Sequence, residues 1–364
     1  MPSSDKPLRS LLAVLKTPTL AADFADKRPL WEEIKRLAEI HRLAGALAYG
    51  SSQWLPEDER PWRDQVLMAH HAQHARRLAA LRKLVEAFRD AGLTCVSMKG
   101  PLLAERFYAV PFLRPANDLD LLIRLKDVGA AAILMKDLGY RLEGSYPWGL
   151  QYRLTYHLNF ASTGDSPRVE LHYDLRASGL SLDSEAMIDR SLPWMSPTGF
   201  ESNVLDPADE AFYCCIHAAT HAFHRLRWLL DVVTMARKLS ATERSRVREL
   251  AVHHRQTGLF VAASLATKEF LNESLEFDNT GFGTPWLWSG LRSHHLRNMV
   301  ERVDGNTVTL AEKIGYRMDF CRMAGTPLRA ARLLAYWTGD EFLKGWYRLL
   351  HRPDPEILSR TLPE

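Results

Sequence analysis

The segment DLDLLI at 118–123 sets Asp118 and Asp120 one leucine apart. In an extended strand, residues two apart share a face, with a rise of about 3.3 Å per residue. Both carboxylates then point the same way, while Leu121, Leu122 and Ile123 carry the strand into a core. Adjacent carboxylates repel, and burying them uncompensated forces one to take a proton. A divalent cation removes that conflict. A solvated pair at a strand edge is the ordinary explanation of such a spacing, but the buried continuation favours a site. A second segment, RVELHYD at 168–174, alternates Val169, Leu171 and Tyr173 with Glu170, His172 and Asp174. As a strand it offers a carboxylate and an imidazole on one face. That face meets water, or, beside the first strand, supplies a third acidic ligand.

Upstream, Lys99-Gly100-Pro101 joins a short apolar strand at 93–98 to a helix at 102–108. Proline suits the first helical position, where its missing N–H is harmless. Glycine lets backbone N–H groups approach a phosphate at a helix N-terminus, and Lys99 adds a point charge. Arg114 can pair internally with Asp118 or a neighbour, or meet a triphosphate through its planar fork; the two are compatible. Two sets of histidines have helical spacing. His70 and His74 (with His71 between) lack a third local ligand and read as solvated or structural. His217, His221 and His224 lack the glutamate of an HExxH zinc site and a fourth ligand, so they read as histidines of a substrate pocket or its surroundings. Trp228 and Asp231 follow, with Asp231 available to Arg227 or a histidine.

The elements that must position these residues are mostly helical. Apolar spacing predicts a helix within 30–49 and a long one over 61–91, where Leu78, Leu81, Val85 and Phe88 form a stripe ended by Gly92. Asp127 is placed to cap a helix over 128–138, and Gly139 to end it. Strands are expected at 140–143, 155–161 and 168–174. Residues 175–205 read as a connection rich in Ser and Pro, helical in part. Asp206-Pro207 opens a strong helix, with Asp as N-cap and Pro at its first position. The remainder, 240–364, reads as helices, with an aromatic loop at 281–290 and an apolar, arginine-bearing stretch at 330–351.

Composition narrows the function classes. A chain of 364 residues with net charge +3 and no long Lys or Arg run makes no electrostatic case for a dedicated nucleic-acid binder. The four cysteines, Cys95, Cys214, Cys215 and Cys321, form no CxxC pair. Reduced buried thiols in a cytoplasmic protein fit them best. No signal-type segment opens the sequence, and nothing approaches the ~20 apolar residues of a membrane span.

The ordered set MKGPLLAERFY, LRPANDLDLLIR, LGYRLEG and VELHYD resembles the nucleotidyltransferase superfamily related to DNA polymerase beta. It is most similar to the bacterial nucleotidyltransferase family proteins, whose pattern runs LKG, YxxPxxRPxxDxDLL, then an ELHW-like strand. HAATHAFHRLRWLLDVV is similar to the helical region of that group, so the likeness covers residues 30–240. The Gly-Ser usual in the wider superfamily is here Gly100-Pro101, which removes a serine hydroxyl.

The resemblance implies an α+β fold: a nucleotidyltransferase core of mixed sheet and helices at 93–180, between a helical region at 1–92 and a helical domain at 181–364. It implies Mg²⁺-dependent transfer of a nucleotide, AMP from ATP above all, to a hydroxyl of a small molecule, peptide or protein. Asp118, Asp120 and Glu170 are the expected catalytic residues and ligands of one or two Mg²⁺ ions. Lys99, Gly100, Arg114 and His172 are the expected nucleotide-binding residues. Two other readings stay open: a nucleotidyltransferase-like module that binds nucleotide or partner without turnover, and an enzyme acting on a tRNA 3′ end, which would demand a basic groove.

Overall fold

The computed structural model describes residues 5–143, 155–177, 180–221 and 223–275. The aromatic loop at 281–290, the stretch at 330–351 and Cys321 lie outside them. Four short helices open the chain: α1 (Asp5–Lys16), α2 (Leu20–Ala25), α3 (Arg28–Ile40) and α4 (Ala44–Gly50). The helix expected within 30–49 is thus two, separated at Arg42, whose φ of 60° no helix continues. Trp31, Ile34 and Leu47 fill a core between these helices and the start of α5 (Arg60–Asp90). Gly45 allows the close approach, because a Cβ there would lie 2.5 Å from His70 Nδ1.

The second half of α5 buries its predicted stripe against a sheet. β1 (Cys95–Met98) leads through α6 (Gly100–Phe107) to β2 (Asp118–Ile123), then α7 (Val128–Asp137) and β3 (Tyr140–Glu143). Asp127 precedes α7 but its side chain makes no capping bond. β4 (His157–Ser162) and β5 (Arg168–His172) follow. The Ser- and Pro-rich connection is more structured than its composition suggests. It holds a two-strand ribbon, β6 (Arg176–Ala177) and β7 (Leu180–Ser181), then α8 (Ser184–Asp189), β8 (Leu192–Met195) and β9 (Glu201–Val204). Pro193 hid β8; it is tolerated because β8 is an edge strand, where a missing N–H breaks no ladder.

The sheet has seven strands in the order β3-β4-β5-β2-β1-β9-β8, with β2/β5 and β1/β9 parallel and the other pairs antiparallel. The fold is therefore α+β around a mixed sheet, as expected. Two of its strands come from 192–204, beyond the 93–180 segment. Strand alternation sorts the side chains. Leu119, Leu121, Ile123, Val169 and Leu171 pack with α5 and α7 on one face. Val96, Met98 and Leu122 pack on the other, against α9 (Pro207–Thr220). The Asp206 carboxylate accepts the Ala208 N–H at 2.9 Å, the predicted N-cap. α10 (Leu226–Lys238), α11 (Ala241–His253) and α12 (Thr257–Ala266) complete this layer. Cys95, Cys214 and Cys215 are buried. Among the described residues no helix is long and apolar enough to cross a membrane.

Candidate active site

The register of two strands assembles the acids. β2 and β5 are parallel neighbours that pair Asp120 with Glu170 and Leu122 with His172. Paired residues face the same side of a sheet, so Asp118, Asp120, Glu170 and His172 share the face that α9 covers. Ligand atoms of Asp120, Glu170 and His172 lie within 4.8 Å of one another, the one such group among the described residues. His172 Nε2 stands 3.1 Å from Asp120 Oδ1 and 3.4 Å from Glu170 Oε2. Asp118 lies outside this tight group, half-buried at the end of β2. These acids, with Lys99, Gly100 and Arg114, line one cavity of about 270 Å³.

The electrostatics show an excess of negative charge. Lys99 Nζ lies 3.0 Å from Asp120 Oδ1. Burial raises the Asp120 acid, but Lys99 and His172 outweigh it and hold the group well below its ordinary range. Burial likewise opposes the Lys99 charge, and Asp120 restores it with a net upward shift. At Asp118 the nearby Lys99 and Arg227 charges compensate only in part. Burial first, then the charges of Asp120 and Glu170, lift it from 3.8 to about 6. A hard divalent cation suits oxygen ligands, and Asp120 and Glu170 of the tight group could hold it, with Asp118 lining the same cavity.

The Lys99-Gly100 bend is held from a distance. Lys99 has φ 46° and Gly100 φ 50°, both in the left-handed region. Glycine takes that conformation freely; for lysine it costs roughly 1–3 kcal/mol. A buried carboxylate offsets this: the Lys99 N–H donates to Glu210 Oε1 at 2.9 Å, and Arg106 also pairs with Glu210. On the other side of the bend, Arg114 Nη1 donates to the Gly100 carbonyl at 2.8 Å. Its Nε and Nη2 reach Asp231 at 2.7 and 2.9 Å. The Tyr108 hydroxyl donates to the same carboxylate at 2.6 Å. Arg114 is therefore paired internally with Asp231 of α10, not with Asp118, and all three kinds of guanidinium nitrogen have protein acceptors.

Arg227, one turn before Asp231, has a looser attachment. Its Nη1 is 3.8 Å from Asp231, and its buried Nε has no partner among the described residues. It lines the cavity with Tyr213, His217, His221 and Trp228. Sequence reading overlooked Arg227 as a lining residue of the cavity and Tyr213 as cover for Lys99, whose ammonium stands 5.4 Å from its ring centroid. Their place on the stripe His217, His221 and in the RLRWLLD run was the available signal. Of the upstream histidines, His70 packs against Gly45, and the exposed His71 meets Phe112 edge-on at 5.4 Å.

Residues 28–272 match the sequence profile of a protein family described as uncharacterised nucleotidyltransferase. No curated protein matches the chain. One similar solved structure is the solution structure of the antibiotic-resistance factor ANT(2'')-Ia. It is 11% identical, with a TM-score of 0.35, over 50% of this chain and 94% of that one.

Proposed function

This chain belongs to the uncharacterised nucleotidyltransferase family, and from that premise we propose that it transfers a nucleotide, AMP from ATP in the first instance, to a hydroxyl of a small-molecule, peptide or protein acceptor. The pairing of Asp120 with Glu170 across two parallel strands, in one cavity with the Lys99-Gly100 bend, is the observation that carries this reading. In the reaction the acceptor oxygen forms a bond to the α-phosphorus, the bond to the bridging oxygen breaks, and pyrophosphate leaves. Asp118, Asp120 and Glu170 would hold Mg²⁺, which would supply positive charge to the phosphate oxygens. Glu170, whose side chain keeps 33% of its exposure, faces the acceptor and takes the hydroxyl proton, with His172 Nε2 beside it. Lys99 and the partly unpaired Arg227 bind the phosphates. Arg114 contributes by fixing the Gly100 carbonyl, so its role is to shape the phosphate cradle.

The test is incubation of the chain with each labelled nucleoside triphosphate and Mg²⁺ in host extract, followed by mass identification of whatever gains a nucleotide. A labelled acceptor formed by the wild type and not by Asp120→Ala is the expected result. No nucleotide consumption with any acceptor would support the non-catalytic binding module instead.

A further inference from the structure

Tyr213 and His217 of α9, and His221 just past its last turn, recur every fourth residue and follow one another along one side of the helix. Their ring centroids are 6.0 Å and 4.5 Å apart in turn. Trp228 of α10 closes the group at 5.2 Å from His217 and 5.1 Å from His221. All four rings line the helix side of the cavity. As mere packing the row is poorly chosen, because aliphatic side chains would fill the space without the cost of burying imidazole nitrogens.

The two ends of the row differ. At the Tyr213 end stands the Lys99 ammonium. Arg227 adjoins Trp228 in the chain and lines the same cavity, and its buried Nε has no partner among the described residues. At the other end His221 is exposed. Burial, followed by the charge of Lys99, keeps His217 far below its ordinary range, so the middle of the row is uncharged at neutral pH. Uncharged rings flanked by two cations complement a planar ring that carries an anionic tail.

We propose that the His217–His221–Trp228 row seats the nucleobase of the nucleoside triphosphate, with its phosphates directed to Lys99 and Arg227; this rests on the nucleotidyl-transfer reading above. The row is open at His221, so the base enters from that end and stacks on Trp228. The test measures binding of the four common nucleoside triphosphates and of inorganic tripolyphosphate, each with Mg²⁺, to the full chain and to its Trp228→Ala and Trp228→Phe variants. The wild type binds at least one nucleoside triphosphate more tightly than tripolyphosphate. Trp228→Ala weakens that nucleotide roughly five- to a hundredfold, the range of a lost base–aromatic stack, and leaves tripolyphosphate within twofold. Trp228→Phe retains most of the affinity. Unchanged nucleotide binding in Trp228→Ala overturns the assignment, and so does equal weakening of nucleotide and tripolyphosphate, which a purely structural Trp228 would give. A wild-type chain that binds neither ligand defeats the nucleotidyl-transfer reading itself.

Discussion

Asp118 destabilises the metal-free protein, and its removal should show this. Burial and the nearby Asp120 and Glu170 charges move its ionisation from 3.8 to about 6. Between those values the folded chain holds a proton that the unfolded chain has lost. Stability is therefore greatest below the unfolded value, falls as pH rises through the window, and carries the full penalty above about 6. At 1.36 kcal/mol per unit the penalty is about 3 kcal/mol, which solvent screening of a half-buried group trims to about 1–2 kcal/mol. Asp118→Asn keeps the shape and removes the charge. With chelator present at pH 7.5, the variant should melt above the wild type by about 2–6 °C, at a few degrees per kcal/mol. At pH 4.5 the gap should shrink to about a third of that. Thermal unfolding followed by circular dichroism at the two pH values decides it. A variant that melts at or below the wild type at pH 7.5, or a gap that does not change with pH, would refute the reasoning.

Three further substitutions test contacts between separate elements. Asp231→Asn removes the charged acceptor of Arg114 and leaves a buried guanidinium uncompensated, at a cost of about 3–5 kcal/mol in a denaturant titration. Arg114→Lys should lower the denaturation midpoint as well, because one ammonium cannot span Asp231 and the Gly100 carbonyl together. Gly45→Ala drives a methyl to 2.5 Å from His70 Nδ1, and overpacking of this kind costs about 1–3 kcal/mol. In a His70→Ala background the same change should instead stabilise, by up to about 1 kcal/mol of helix propensity; destabilisation there would show that Gly45 matters for another reason.

The legible parts of the site were the local ones. Alternation of period two announced both acidic strands, and the apolar continuation after Asp120 separated a site from a solvated edge. The Lys99-Gly100 bend and the Asp206 cap also declared themselves by residue type. The strand register that sets Asp120 against Glu170 is a long-range property that neither segment specifies alone. The partner of Arg114 proved to be Asp231, 117 residues away, and the Lys99 N–H is held by Glu210, 111 residues away. Asp231 was expected to meet Arg227 or a histidine, and nothing local ties either carboxylate to a bend more than a hundred residues upstream. β8 was masked by its proline, and Asp127 satisfied the cap preference by type while making no capping bond.

The central claim is that Asp120 and Glu170, brought together by two parallel strands, hold the cation on which nucleotide transfer depends. Titration of Mn²⁺, a paramagnetic stand-in for Mg²⁺, into the folded wild type, Asp120→Asn and Glu170→Gln measures it directly. The account predicts a defined site in the wild type and at least tenfold weaker binding in each variant. Equal Mn²⁺ affinity in all three proteins would contradict it.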